Sequence, residues 1–357
     1  MYKSIDKWLW PFLNRGKSKL PDNYHVLFCV CDHFEPFHQS NGNIMIAYQR
    51  MDHWKNTFPR VQSSGIDSNG NHPVHTFFYP IEQYNQEIIS TLSRICSNGA
   101  GETEIHLHHN DDCYQSMVDK LLQGKEDFQK HGLLSKDDTN QVVYGFIHGN
   151  WAISNSHPEG KYCGVDNELS ILKKTGCYAD FTMPSVPDPC QSRIVNSIYY
   201  NNDSHPRRAH DYGNYAISGY VAKEDELLFI QGPIALNWKK RKSGIVPRIE
   251  NSDLTLRNPP TLDRFKLWVD TAITVDGRPD WIFIKLHTHG CNPNNIKMHL
   301  GGPLEQFYRE LTTYAGNNSQ FSLHFVTARQ MANIVLAAVS GKEGNPYDYK
   351  DFRYRLL

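Results

Sequence analysis

None of the eight cysteines (Cys29, Cys31, Cys96, Cys113, Cys163, Cys177, Cys190 and Cys291) belongs to a CxxC pair. That excludes a zinc ribbon and a thioredoxin-like redox site, and leaves reduced, mostly buried thiols as the expectation. No stretch approaches the ~20 apolar residues that a membrane span requires. Net charge is almost absent, since 37 Lys and Arg stand against 38 Asp and Glu, a balance of -1. A nucleic-acid partner would leave a strongly basic footprint, so none is expected, and a small or neutral polar ligand fits better. Long low-complexity tracts are also missing, and with 39% hydrophobic and 21% charged residues the composition is that of an ordinary globular protein. The amino terminus, MYKSIDKWLWPFLNRGKSKL, has neither a long apolar h-region nor a small-residue cleavage site. A cytoplasmic protein is expected. Residues 1–20 form a basic and aromatic segment, read as a first helix docked on the domain. The alternative is peripheral contact of residues 8–19 with the inner face of a membrane.

The 357 residues suffice for one large domain with insertions, expected over residues 21–345 with a tail at 346–357. Short apolar runs alternate with segments of helical period, the pattern of β/α units around a parallel sheet. Strands are expected at Val26 to Cys31, Val74 to Tyr79, Glu104 to His108, Val142 to Ile147, Tyr178 to Thr182, Leu227 to Gln231, Trp281 to Leu286 and Phe321 to Val326. Helices are expected at Met45 to Phe58, Glu82 to Cys96, Cys113 to Leu122, Asn167 to Lys174, Leu262 to Ala272, Leu304 to Ala315 and Ala328 to Val339. The expected fold is α/β, a distorted (β/α) barrel of seven or eight parallel strands. Two excursions, near 187–226 and 232–260, follow predicted strands, where long βα loops build a substrate cleft.

What ends each apolar run carries the chemistry. Val26 to Cys31 ends in Asp32-His33, Val142 to Ile147 in His148, and Trp281 to Leu286 in His287-Thr288-His289, while the Glu104 run carries His106, His108 and His109. In a parallel barrel these ends converge on one mouth. Carboxylate and imidazole suit zinc, with nickel, cobalt, iron and manganese as alternatives. On a strand His106 and His108 share a face and reach one ion, with His109 and Asp112 as alternatives if the strand ends sooner. A lone strand-end histidine such as His148 is as readily a hydrogen-bonded residue as a ligand, and His72, His75 and His324 are read as the former. Asn150-Trp151 could bind substrate, the indole stacking on a sugar ring. The run Asn237 to Lys242 reads as a solvated face or as an anion-attracting one, and Arg248 as a further anion contact.

The segments Cys31-Asp32-His33-Phe34-Glu35-Pro36, Glu104-Ile105-His106-Leu107-His108-His109, Gly176 to Ser185 and Lys285-Leu286-His287-Thr288-His289-Gly290 resemble, in order and spacing, those of the polysaccharide deacetylase superfamily over roughly residues 24 to 340. The resemblance implies Asp32 as a metal ligand, His106 or His108 as imidazole ligands, and His287 as general acid. It departs at the base, where Cys31 and Cys29 stand in place of the family's aspartate. Glu35 is taken as the substitute, with Asp111, Asp112 and Asp180 as alternatives. The family also spaces its histidine ligands four apart, whereas four from His106 is Asn110 and four from His108 is Asp112. The expected activity is removal of an N-acyl group, acetyl first, from an amino sugar in cell-surface polysaccharide synthesis, on a carbohydrate that could be nucleotide- or lipid-linked. The rivals are a glycoside hydrolase using Glu35 with Asp180 and a non-catalytic carbohydrate-binding barrel.

Overall fold

A strand covered on both faces has no polar side to display, so it is written as an unbroken apolar run. All eight expected runs form strands in the computed structural model, which describes residues 4–357. The order is α1 (Ile5–Asn14), β1 (Tyr24–His33), α2 (Ile44–Gln62), β2 (His75–Pro80), α3 (Gln86–Ile95), β3 (Gly101–Leu107), α4 (Tyr114–Gln129), β4 (Ser135–Lys136), β5 (Val142–His148), α5 (Glu168–Thr175) and β6 (Cys177–Asp180). There follow β7 (Ile198–Asn201), β8 (Asn214–Tyr215), β9 (Leu227–Ile230), β10 (Ala235–Lys242), β11 (Val246–Glu250), α6 (Leu262–Val269), β12 (Trp281–Thr288), α7 (Pro293–Leu300), α8 (Pro303–Gly316), β13 (Phe321–Phe325), α9 (Ala328–Val339) and β14 (Arg355–Leu356).

The protein is α/β, with a large and mostly parallel sheet. One edge of β1 pairs with β12, and the other with β13 along Tyr24 to Phe28 and with β2 along Cys31 to His33. Parallel pairing continues through β2, β3, β5, β6 and β9. The sheet then ends in antiparallel β7 and β8. Among the described residues no ladder joins β9 to β12. The gap is bridged by single contacts: Lys285 Nζ to the Phe181 carbonyl at 2.6 Å, His287 N–H to the Ser252 carbonyl at 3.1 Å, and Gly232, where a Cβ would lie 2.2 Å from the Lys285 carbonyl oxygen.

Alternation along β1 divides the core. Val26, Phe28 and Val30 join the helix-covered cluster with Trp54, Trp268 and Phe307, while Leu27, Cys29 and Cys31 face Phe78, Phe283 and the buried side of α9. All eight cysteines are free, six of them buried.

Several boundaries differ from the expectation. The chain over Ile81–Gln83 makes a 3-10 turn, and α3 begins after Asn85, whose side chain accepts the Glu87 and Ile88 N–H groups. Helix α4 runs on to Gln129, and α6 stops at Val269. Helix α7 was not expected, although Asn292 caps it and Pro293 opens it. Both excursions contain strands, β7 with β8 and the hairpin β10–β11.

The chain's two ends pack on the body. Trp8 of α1 is buried against Val186, Val195 and Ile234, a contact of about 2–3 kcal/mol by the area it covers. At the other end β14 pairs with β4, and Tyr354 stacks on Tyr178 at 4.7 Å.

Candidate functional site

Strand β3 delivers His106, and His108, one residue past its end, continues the same face. His106 Nδ1 lies 2.7 Å from the Ile147 carbonyl and His108 Nδ1 lies 2.7 Å from Glu82 Oε1. Both partners only accept, so each Nδ1 carries a proton, which leaves each Nε2 to offer a lone pair to a metal ion or, when protonated, a hydrogen bond to a carboxylate. The two Nε2 atoms converge on one oxygen, Glu35 Oε1, at 3.5 and 3.0 Å. His106 Nε2 is buried without a hydrogen-bond partner, and so is Nε2 of the adjoining His33. Facing a carboxylate, each Nε2 needs either a proton or a metal ion between the two. These three donors lie within 4.8 Å of one another and can hold a metal ion.

The Glu35 carboxyl is further bound by His289 (3.3 Å) and His38 (3.5 Å). Burial by itself would raise its pKa, but the surrounding imidazoles of His106, His108, His289 and His38 prevail and hold it far below the carboxylate range. Glu35, expected as the base, is thus an ionised group among the donors. Burial would lower His108, whereas Glu35 and Glu82 raise it to about 9.

Asp32 is not drawn into this trio. Its Oδ2 accepts from His75 Nε2 at 2.9 Å and its Oδ1 from the Gly290 N–H at 2.6 Å, both within the core. A Cβ on Gly290 would lie 2.0 Å from Asp32 Oδ2, so the close approach requires glycine there. His72 and His324 are hydrogen-bonded as read, to the Gly65 carbonyl at 2.7 Å and to His25 at 2.9 Å.

A cleft of about 790 Å³, an ordinary size for a small-ligand site, is lined by His38 and His289, which contact Glu35, and by Trp151, His287, Asp253 and Asn251; the trio itself lies one residue behind this wall. His287 is held well below its usual pKa by burial and then by Lys285, so its imidazole is neutral. Asp253, raised by burial, was missed by sequence reasoning. Its signal was membership of the second excursion, where buried Arg264 bonds Glu250 through Nε and Nη2 (2.8 and 2.7 Å) and the Asp253 carbonyl (2.7 Å). Asn150 is exposed and, like Arg248 on β11, lies outside the cleft lining. Asp180 is buried and bonded to Thr182 Oγ1 at 2.6 Å. The Cys29 and Cys31 sulfurs sit 3.7 Å apart in the core, where burial raises the Cys29 thiol well above its usual value and keeps it neutral.

A second cluster, unforeseen as a unit, lies beyond the end of β3. His109 and His148 turn their Nε2 atoms toward each other at 2.8 Å, with Glu168 Oε1 at 3.7 and 3.4 Å from them. Cys163 completes a four-donor group that can hold a metal ion, all of it buried.

Of the segment expected at residues 1–20, the first three lie outside the described residues. Trp10, Leu13, Lys17 and Lys19 are exposed, and Ser4 and Lys7 bond the 187–189 wall of the cleft. No described helix is long and apolar enough to cross a membrane. Comparison with protein-family profiles and with curated proteins yields no match.

Proposed function

We propose that this chain is a metal-dependent amide hydrolase that removes an acyl group, acetyl first, from an amino sugar used in cell-surface polysaccharide synthesis. One observation carries the reading: two imidazoles, each with Nδ1 tied to an acceptor, aim their Nε2 atoms at one ionised carboxylate beside an open cleft. Outer acceptors that fix the tautomer are the usual support of a metal ligand. Glu35, His106 and His108 would hold the ion, zinc first, with nickel, cobalt, iron and manganese as alternatives. A divalent ion there supplies a Lewis acid for the acyl oxygen and acidifies the attacking water. His287 on the cleft wall is the group that relays the water's proton to the departing amine nitrogen as the C–N bond breaks; burial holds its pKa down, which makes it stronger as the donor than as the acceptor. Glu35, clasped by four imidazoles, is a poor proton acceptor and a good ligand. Trp151 offers a face on which a sugar ring stacks.

The eight parallel strands, the Lys285 bond from β12 to the end of β6 and the close approach of Gly232 to the Lys285 carbonyl support reading the sheet as a distorted (β/α) barrel. Exposed Trp10 and Leu13 beside Lys17 and Lys19, on a helix bonded to the cleft wall, support a lipid-linked substrate met at an anionic membrane surface. Co-sedimentation with anionic vesicles should weaken in a Trp10→Ser, Leu13→Ser double variant; no binding by the parent protein would remove that part of the reading.

The test of the activity is acetate release from N-acetylated oligosaccharides, alongside metal content, for the parent protein and His106→Ala. Acetate release lost together with about one ion per chain supports the hydrolase. Free sugar without acetate turns the reading to a glycosidase, and full activity in metal-free protein rejects it.

A further inference from the structure

We infer that His109, His148, Cys163 and Glu168 form a second, closed metal site whose ion is structural zinc, separate from the proposed hydrolytic centre. The rings of His109 and His148 cannot rest as neighbours with both in neutral form. His109 Nδ1 lies 3.0 Å from Asp112 Oδ2, and His148 Nδ1 contacts the Gly149 carbonyl. Each Nδ1 therefore donates, so the 2.8 Å approach of the two Nε2 atoms requires either a metal ion among the donors or a second proton on one ring. Burial alone would lower the pKa of His109, but Asp112, Cys163 and Glu168 raise it to about 11. Glu168 Oε1 points at the same spot, 3.4 Å from His148 Nε2, and is buried with no hydrogen-bond partner, while Oε2 is satisfied by the Ser154 N–H at 2.6 Å. The fourth donor, Cys163 Sγ, accepts the Asn155 N–H at 3.3 Å and, as a thiol, donates to Glu168 Oε2 at 3.3 Å, a proton that a bound metal ion would displace.

An orphaned carboxylate oxygen at 0% exposure is costly, and a cation among the four donors would satisfy it. The donors lie within 4.8 Å of one another. Tetrahedral bonds of about 2.0–2.3 Å give donor separations of roughly 3.3–3.8 Å, so a slight opening of the two rings seats the ion. Thiolate and carboxylate neutralise a divalent charge, as a dry site requires. A soft sulfur with two imidazoles selects zinc over magnesium or calcium. Outer support is complete on the His109 side, where Asp112 is fixed by Lys120 Nζ at 2.7 Å and Ser116 Oγ at 2.8 Å. With four protein donors and no opening, the site holds no substrate. It ties together the end of β3, the end of β5, the loop carrying Cys163 and the first turn of α5.

Loading the full chain with cobalt(II) gives a direct test, because only this cluster contains a sulfur donor. A thiolate-to-cobalt charge-transfer band is expected in the parent protein and in His106→Ala, and should vanish in Cys163→Ser. Total metal should be two ions per chain, falling to one in either variant. Alkylation of Cys163, followed by mass spectrometry on the unmutated protein, should rise at least tenfold on chelation. That measurement does not depend on Cys163→Ser folding. A single ion unaffected by Cys163→Ser, or alkylation of Cys163 indifferent to chelator, overturns the inference. Loss of the sugar-amide activity in His106→Ala with the charge-transfer band intact would separate the two sites; absence of activity altogether would leave this site standing.

Discussion

His108 and His109 are consecutive residues, yet one side chain is 30% exposed beside a cleft and the other is sealed at 0%. Their surroundings use the same grammar: an acceptor on Nδ1 and a carboxylate that the Nε2 atoms share. What separates the two clusters is access. Three donors, of which His108 is partly exposed and Glu35 touches two residues of the cleft wall, leave a coordination position for water or substrate, whereas four buried donors leave none. Gly149 lies against this divide, since a Cβ there would meet His108 Cδ2 at 2.5 Å. Similar ligand chemistry thus serves reaction in one place and cohesion in the other, and the strand's alternation does the sorting. His106 and His108 fall on one face, and His109 turns away.

The comparison breaks most visibly in stability. Glu168→Gln leaves two buried imidazoles with a weaker partner and should cost about 3–5 kcal/mol in denaturant unfolding, as removing one member of a buried charged set does. His106→Ala, beside the cleft, should cost less than half of that. Equal losses in the two variants would erase the distinction between a reactive and a structural cluster. A smaller effect compares the outer supports. Glu82→Gln and Asp112→Asn each weaken the acceptor that fixes one ligand's tautomer, so each should lower metal affinity about 10–100-fold at its own site. Competition with a chromogenic chelator reads both affinities. A loss at the wrong site, or at both together, would show that the clusters are coupled.

How much of this was legible in the sequence follows from what each part is made of. The eight parallel strands were readable because two-sided burial writes them as apolar runs, and α9 because Thr327 and Gln330 cap a strongly apolar stretch. The hairpin β10–β11 was not, since Trp238 to Lys242 is exposed and reads as a charge run. His106 and His108 were readable as a pair from strand period. Asp32 was chosen from its strand-end position, but nothing in the sequence says that His75 and the Gly290 N–H occupy both its oxygens. The sealed cluster was hidden for another reason. Cys163 and Glu168 come from a loop and a helix start far along the chain from His109, and no fixed spacing announces such a site. The strand period did contain one unused hint, because it sends His109 away from His106 and His108.

The smallest expected effect joins the two regions. Trp151 lines the cleft from the loop that begins at Gly149, next to His148, and passes through Cys163 before α5. Its backbone φ is +56°, in the left-handed region that a bulky residue adopts only when its surroundings enforce it. The sealed cluster holds both ends of that loop, through His148 and Glu168. Trp151→Ala should therefore raise KM for an N-acetylated oligosaccharide by about 5–20-fold with kcat little changed, the size of one lost ring stack of about 1–2 kcal/mol. Cys163→Ser, which leaves Trp151 in the sequence but loosens its loop, should move KM in the same direction and by less. If KM follows Trp151 but ignores Cys163, the sealed cluster stabilises the fold without shaping the cleft.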